Sequence, residues 1–129
     1  MPTADHIAFE VTDLDRAVAF YTDKLGWKLL FHARDEEHQE AFAFVEVDGC
    51  NLELLERLDK TGPPPVNLPS PPYCPHFAIT VTDIDESLAE LTQKGVDIAK
   101  GPMEITGKVR WAYFADPDGN VIEFVQWMS

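Results

Sequence analysis

The sequence predicts an α+β fold made of two βαβββ modules that form a curved mixed β-sheet, with the helices on its outer face. Three observations predict it: an internal repeat at one fixed offset, period-two alternation in the repeated strands, and an Asp-Gly turn at the same place in each copy. The chain has 129 residues, the length of one ordinary domain. We therefore expect a single domain over residues 1–129.

The repeat is visible when the chain is shifted by 70 residues. Residues 6–15 (HIAFEVTDLD) then lie over residues 76–85 (HFAITVTDID), with six identities in register. The same shift places the Asp-Gly turn at 48–49 over the one at 118–119. The chain therefore holds two copies of one module, residues 5–57 and 75–127. Because a unit this short buries its own apolar face poorly, we expect the two copies to pack together.

Each module predicts a strand, a helix and three further strands. The expected strands are residues 6–12, 27–33, 41–47 and 50–57 in the first module, and 76–82, 97–104, 108–115 and 120–127 in the second. The first helix should begin after Asp13, a typical N-cap residue, and end at Gly26. The second helix should span about 84–94. Alternation in the first strand predicts a core face of Ile7, Phe9 and Val11.

A proline-rich segment, residues 58–74, joins the modules. It contains six prolines, which fix φ and remove hydrogen-bond donors, so we expect an extended linker. Such a linker can hold its two ends well apart. Pairing of modules across two chains is then feasible, and we expect a homodimer.

Composition excludes several classes of partner. Ten basic and 23 acidic residues give a net charge of −13, which repels nucleic-acid backbones and anionic membrane surfaces. The sequence has neither an apolar run of about 20 residues nor a secretory signal pattern at its start. Two cysteines, Cys50 and Cys74, do not make a disulfide framework. We expect a cytoplasmic protein whose partner, apart from a second copy, is a small molecule.

The repeat also selects a set of candidate metal ligands. The alternation places His6, Glu53, His76 and Glu123 on the sheet face opposite the predicted core residues, inside otherwise apolar strands. Polar side chains on a covered face are usually paired or metal-bound. Two imidazoles and two carboxylates suit Zn²⁺, Ni²⁺, Co²⁺, Mn²⁺ or Fe²⁺ equally. The sequence therefore predicts one central divalent metal with up to two positions left for substrate oxygens.

These motifs resemble those of the vicinal oxygen chelate superfamily, which includes glyoxalase I, methylmalonyl-CoA epimerase, extradiol dioxygenases, and fosfomycin and bleomycin resistance proteins. The resemblance covers nearly the whole chain and rests on residues 6–15, 52–56, 76–85 and 114–123. The complete His/Glu/His/Glu set is most similar to glyoxalase I. The resemblance implies a metal-dependent lyase or isomerase that moves a proton through an enediolate, with Glu123 as the base and Glu53 as the acid or second base.

The sequence also departs from the glyoxalases. Glu10 stands where they place an Arg, and Leu55-Glu56-Arg57 stands where they carry Thr-x-Asn. A carboxylate at position 10 would repel the carboxylates of glutathione, so the substrate can be another α-hydroxycarbonyl or thiol adduct. Arg110, Trp111 and Tyr113 are candidates for a substrate pocket, although Trp111 and Tyr113 also fit ordinary core or rim positions.

Three alternative functions remain open at this level. The epimerase commonly has Gln at the position of Glu53, and the dioxygenases use two His and one Glu on Fe²⁺. Resistance proteins of the bleomycin type usually lack the ligand set and only bind a small molecule. Metal content separates this last class from the enzymes.

Overall fold

The computed structural model describes residues 2–62 and 68–128. Its strands are β1 (Ile7–Val11), β2 (Lys28–Asp35), β3 (Glu40–Val47), β4 (Cys50–Arg57), β5 (His76–Thr80), β6 (Ile98–Ile105), β7 (Val109–Ala115) and β8 (Val121–Trp127). Its helices are α1 (Leu14–Ala19), which continues as a π-helical turn over Phe20–Lys24, and α2 (Ile84–Gln93). The predicted order of elements is confirmed in both modules.

The chain divides into two compact units, Met1–Val66 (unit 1) and Asn67–Ser129 (unit 2). Each unit holds its own four-stranded mixed sheet, in the order β1-β4-β3-β2 and β5-β8-β7-β6. The first strand of each unit pairs in parallel with the last, and the remaining pairs are antiparallel. The α+β class and the βαβββ modules are therefore confirmed.

The two helices begin in the same way, 70 residues apart. Asp13 and Asp83 each accept a hydrogen bond from the backbone N–H three residues on, at 3.1 Å. The first helical N–H of α1, from Leu14, donates to Glu56 at 2.7 Å, and that of α2, from Ile84, donates to Gln126 at 2.9 Å. The helix start is thus tied to the last strand of its own unit, which satisfies donors that a helix otherwise leaves unpaired.

Each core lies between the helix and one face of the sheet. In unit 1 the fully buried residues include Ala43, Val45, Leu52 and Leu54, and in unit 2 Ala112, Phe114, Ile84 and Ile122. The predicted core face of β1 is wrong in one position: Ile7 is 41% exposed, whereas Phe9 and Val11 are buried. The reason is that α1 packs on β3 and β4, and Ile7 lies at the end of the edge strand β1.

We call the helix-free face of each sheet its open face. Residues opposite one another in the register share a face, which places on it His6, Glu10, Phe31, Phe42, Phe44, Glu53 and Arg57 in unit 1, and His76, Trp111, Tyr113 and Glu123 in unit 2. The open faces therefore carry the four candidate metal ligands.

The predicted linker is described only in part. Residues 63–67, which include three of its prolines, lie outside the described residues. The described part contains a turn at Pro71 and Pro72, followed by Tyr73 with a positive φ of 62°. Within residues 2–62 and 68–128, neither helix has the length and apolar character needed to span a bilayer.

Gly101 marks a close approach between β6 and β7 and gives a stability prediction. Its φ is +110°, and a Cβ there would lie 2.9 Å from the carbonyl oxygen of Trp111. We expect Gly101→Ala to lower the free energy of unfolding by about 3 kcal/mol, from backbone strain and overpacking together. Gly107→Ala is the control, because Gly107 also has a positive φ but nothing within 4 Å of a Cβ, and should cost about 1 kcal/mol. Equal losses in urea denaturation would contradict the packing argument.

Candidate functional site

Each unit brings one histidine and one glutamate together on its open face. In unit 1, Nε2 of His6 lies 3.5 Å from Oε1 of Glu53; in unit 2, Nε2 of His76 lies 2.9 Å from Oε1 of Glu123. Glu53 lies on β4, which pairs in parallel with β1, the strand that follows His6. Glu123 lies on β8, which pairs in parallel with β5, the strand that begins at His76. The side chains are largely shielded, with 14–16% of each glutamate and 23–34% of each histidine exposed.

The other ring nitrogen of each histidine, Nδ1, also has a hydrogen-bond partner. Nδ1 of His6 lies 2.7 Å from the Asp5 carboxylate, and Nδ1 of His76 lies 2.9 Å from the carbonyl oxygen of Tyr73. Because a carbonyl can only accept, Nδ1 of His76 carries the proton, and Nε2 is the atom that faces Glu123. The hydrogen bond to Asp5 is the main reason why the pKa of His6 is raised above its usual value. Both imidazoles thus have the outer partner that metal-binding histidines commonly have.

The donor set fits a divalent metal. Neutral imidazole Nε2 and a carboxylate oxygen are ordinary ligands of first-row divalent ions, and each unit presents one of each. In the part of the chain that the structure describes, no group of three or more His, Cys, Asp or Glu side chains is arranged so that it could hold a metal ion. The structure therefore brings the four predicted residues together as two pairs, each within its own unit.

Aromatic rings line each pair. Phe44 lies opposite Glu53 in the strand register, and its ring meets the His6 ring edge-on at 4.9 Å. Tyr113 lies opposite Glu123 and meets His76 at 5.3 Å. Sequence reasoning had proposed Tyr113 but missed Phe44, although the alternation of residues 41–47 could have placed Phe44 on the open face.

The Tyr113 hydroxyl keeps its proton at neutral pH and can donate a hydrogen bond. Burial raises the pKa of the Tyr113 phenol above its usual value, and the charge on Glu123 raises it further, while the hydrogen bond with Trp111 acts in the opposite direction. Trp111 and Tyr113 share one face of β7, as predicted from their spacing. They are thus placed where a molecule bound at His76 and Glu123 would meet them.

Arg110 is separated from these two aromatic residues. It lies on the helix side of β7, where its guanidinium donates to both carboxylate oxygens of Asp85 at 2.9 and 3.0 Å. Asp85 belongs to the first turn of α2, and the pair lowers the pKa of Asp85. Adjacent residues of a strand point to opposite faces, so Arg110 cannot share the open face with Trp111 and Tyr113. Its role in the structure is to tie α2 to the sheet.

One polar atom near the unit 1 pair has no partner. Oδ1 of Asn51, two residues before Glu53 on β4, is buried and accepts no hydrogen bond from residues 2–62 or 68–128. A buried acceptor without a donor is costly. The oxygen is closed to solvent, so it is a cost to the fold of unit 1 and not a contact offered to a ligand.

The chain is similar to known proteins over nearly its whole length. The chain is 32% identical to a probable lactoylglutathione lyase of Vibrio parahaemolyticus, over 94% of this chain and 88% of that protein. Among solved structures it is similar to the trypanothione-dependent glyoxalase I of Leishmania major (28% identity, TM-score 0.75, 98% and 87% of the two chains). It is also similar to an antibiotic-binding protein from Streptomyces sp. CB03234 (26% identity, TM-score 0.71, 98% of each chain).

A family model decides the membership. The model described as Glyoxalase/Bleomycin resistance protein/Dioxygenase superfamily matches residues 3–124. That range includes the first module, the second module up to residue 124, and all four residues of the His–Glu pairs. The chain therefore belongs to the Glyoxalase/Bleomycin resistance protein/Dioxygenase superfamily.

Proposed function

We propose that this protein is a divalent-metal-dependent lyase or isomerase of the glyoxalase I type, which moves a proton between adjacent carbons of a small α-hydroxycarbonyl or thiol adduct. The observation that carries the proposal is the repeated pair: a histidine and a glutamate face each other in both units, 70 residues apart. Similarity to lactoylglutathione lyases at about 30% identity supports the same reaction class.

In this proposal His6, Glu53, His76 and Glu123 are the protein ligands of one metal ion. Two carboxylates balance a divalent charge, and Asp5 and Tyr73 keep the outer nitrogens of the histidines occupied. Zn²⁺, Ni²⁺, Co²⁺, Mn²⁺ and Fe²⁺ all suit this set. When bound, the ion supplies Lewis-acid stabilisation for negative charge that develops on two adjacent substrate oxygens.

The chain's own groups supply the proton transfer. Glu123 accepts the proton from the substrate carbon that carries the hydroxyl group, and Glu53 serves as the acid or second base in the proton transfer to the neighbouring carbonyl carbon. The hydroxyl proton passes to the former carbonyl oxygen, so the two groups exchange places. The atoms balance, because the product is an isomer of the adduct. Tyr113, whose phenol stays protonated, donates a hydrogen bond to the bound substrate. Trp111 beside it limits the access of water to the site. Glu123 is preferred as base on the family resemblance.

Metal content and proton exchange test the proposal together. Protein purified without added metal should contain close to one divalent ion per pair of modules by elemental analysis. In deuterated water, hemithioacetals of methylglyoxal and phenylglyoxal should then be isomerised, and the product should carry deuterium where exchange competes with return of the proton. Metal-loaded protein that neither isomerises nor exchanges protons with any hemithioacetal would overturn the proposal.

A binding protein without catalysis is the second candidate. The observation in its favour is the structural similarity to the antibiotic-binding protein, at 26% identity. Both candidates bind a small molecule, so proton exchange with solvent is the measurement that separates them. Tight ligand binding with no exchange in the metal-loaded protein would favour the binding protein.

We also expect a homodimer, because each module supplies only one His and one Glu to the proposed ligand set and modules can pair across two chains. Light scattering at micromolar concentration in 150 mM salt should give about twice the 14.5 kDa of one chain. Each chain carries a net charge of −13, so the dimer should weaken when salt is lowered and the repulsion is less screened. A monomer at 150 mM salt would contradict this expectation.

A further inference from the structure

Both open faces repeat one aromatic arrangement, with different chemistry. In unit 1, Phe31 stacks on Phe44 with ring centroids 5.1 Å apart and an interplanar angle of 10°. In unit 2, Tyr73 stacks on Tyr113 at 4.7 Å and 18°. Each stacked pair meets the histidine of its own unit through the inner ring. The rings beside His6 are purely apolar, whereas those beside His76 carry two hydroxyl groups.

The unit 1 rings form a larger surface, which we call the Phe patch: Phe31, Phe42 and Phe44. Phe42 meets the other two rings edge-on at 6.1 and 6.3 Å, and Phe31 is 49% exposed. The patch is continuous with the His6–Glu53 pair, because the Phe44 ring contacts His6 and the Phe44 backbone lies opposite Glu53. A ligand that reaches His6 and Glu53 therefore also meets Phe44, and an extension of that ligand along the sheet would meet Phe31 and Phe42.

The charges around the Phe patch disfavour an anionic ligand. Five carboxylates and two cations lie on the same face by register, namely Glu10, Asp35, Glu40, Glu46 and Glu53 against Lys28 and Arg57. The Arg57 guanidinium donates to the Glu10 carboxylate, so one of these two cations already has a carboxylate partner. A dicarboxylate such as the glutathione moiety would meet like charge here.

We propose that the open face of unit 1 binds an uncharged aromatic group of the substrate against the Phe patch, and that the substrate is an aryl-bearing neutral adduct rather than an anionic glutathione adduct. This rests on the proposed function for the reacting atoms. The phenyl rings supply stacking and edge contacts to another ring, and the acidic surroundings select against carboxylates.

Calorimetry with two unreactive thioethers tests the proposal. Benzyl 2-hydroxyethyl sulfide and S-benzylglutathione share the benzylthio group and differ in charge. We expect the metal-loaded protein to bind the neutral compound at least about tenfold more tightly. Phe31→Ala should weaken that binding by about tenfold, and Phe31→Leu by less, since Leu keeps apolar area but loses the ring. Ile105→Ala is the matched control, because Ile105 is an exposed apolar residue of unit 2, and should leave the affinity unchanged.

Glu10→Gln tests the charge argument separately. Removing one negative charge beside Arg57 should raise the affinity for S-benzylglutathione and leave that for the neutral sulfide unchanged. The proposal is overturned if S-benzylglutathione binds as tightly as the neutral sulfide, or if Phe31→Ala and Ile105→Ala behave alike. Because calorimetry needs no turnover, selective binding without proton exchange would refute the proposed reaction alone. Isomerisation of the glutathione adduct that is insensitive to Phe31→Ala would refute the substrate class alone.

Discussion

His6→Ala and His76→Ala are each expected to lower metal affinity by more than about 100-fold, since loss of an outer partner alone commonly costs 10- to 100-fold. Each substitution removes the only imidazole of its pair and leaves Glu53 or Glu123 without its neighbour. Elemental analysis after purification should then find less than about one tenth of the wild-type metal. Both side chains are partly exposed, at 34% and 23%, so the fold should survive their truncation.

His38→Ala is the matched control for this prediction. Nδ1 of His38 lies 2.8 Å from the Asp35 carboxylate, much as Nδ1 of His6 lies 2.7 Å from Asp5. His38 is exposed in the turn between β2 and β3, and its imidazole pairs with Asp35 rather than with a glutamate. Metal content should be unchanged in His38→Ala. Wild-type metal content in His6→Ala and His76→Ala, with circular dichroism showing intact folding, would show that the pairs are not the ligands.

Glu123→Gln is expected to lower turnover by about 10²–10⁴-fold while the protein keeps its metal, because Gln can ligate through oxygen but cannot accept a proton. Glu53→Gln should also lower turnover, by less if Glu123 is the base. Turnover on a confirmed substrate and metal content must be measured on the same samples. Glu90→Gln, which changes an exposed carboxylate of α2, is the control and should retain wild-type turnover.

The two glutamate variants also separate a ligand from a base. If Glu123→Gln loses its metal, the lower turnover would reflect the loss of a metal ligand, and the rate should then recover at high metal concentration. Full turnover with full metal in both variants would mean that the carboxylates act only as ligands, and the proposed proton transfer would be wrong. A larger loss in Glu53→Gln than in Glu123→Gln would reverse the roles of the two residues.

The local pattern of the sequence was sufficient for the elements and for the sheet face on which the four candidate ligands lie. The period-two alternation, the Asp N-caps and the Asp-Gly turns are properties of adjacent residues, so they can be recognised without tertiary information. The 70-residue offset then related His6 to His76 and Glu53 to Glu123, and the structure shows each histidine facing the glutamate of its own unit. Whether all four bind one metal stays a prediction.

Tertiary contacts decided the surroundings of the pairs. Arg110 was grouped with Trp111 and Tyr113 because the three are adjacent in sequence, but α2 presents Asp85 on the other side of the sheet and holds the guanidinium there. Ile7 is exposed because α1 covers β3 and β4 instead of the end of β1. Phe31 lies beside the unit 1 pair because it stacks on Phe44 of β3, and the Tyr73 ring stacks on Tyr113 of β7. Such contacts join residues far apart in the chain, and their energy depends on which strands are neighbours and where the helix lies, so alternation along a single strand does not contain them.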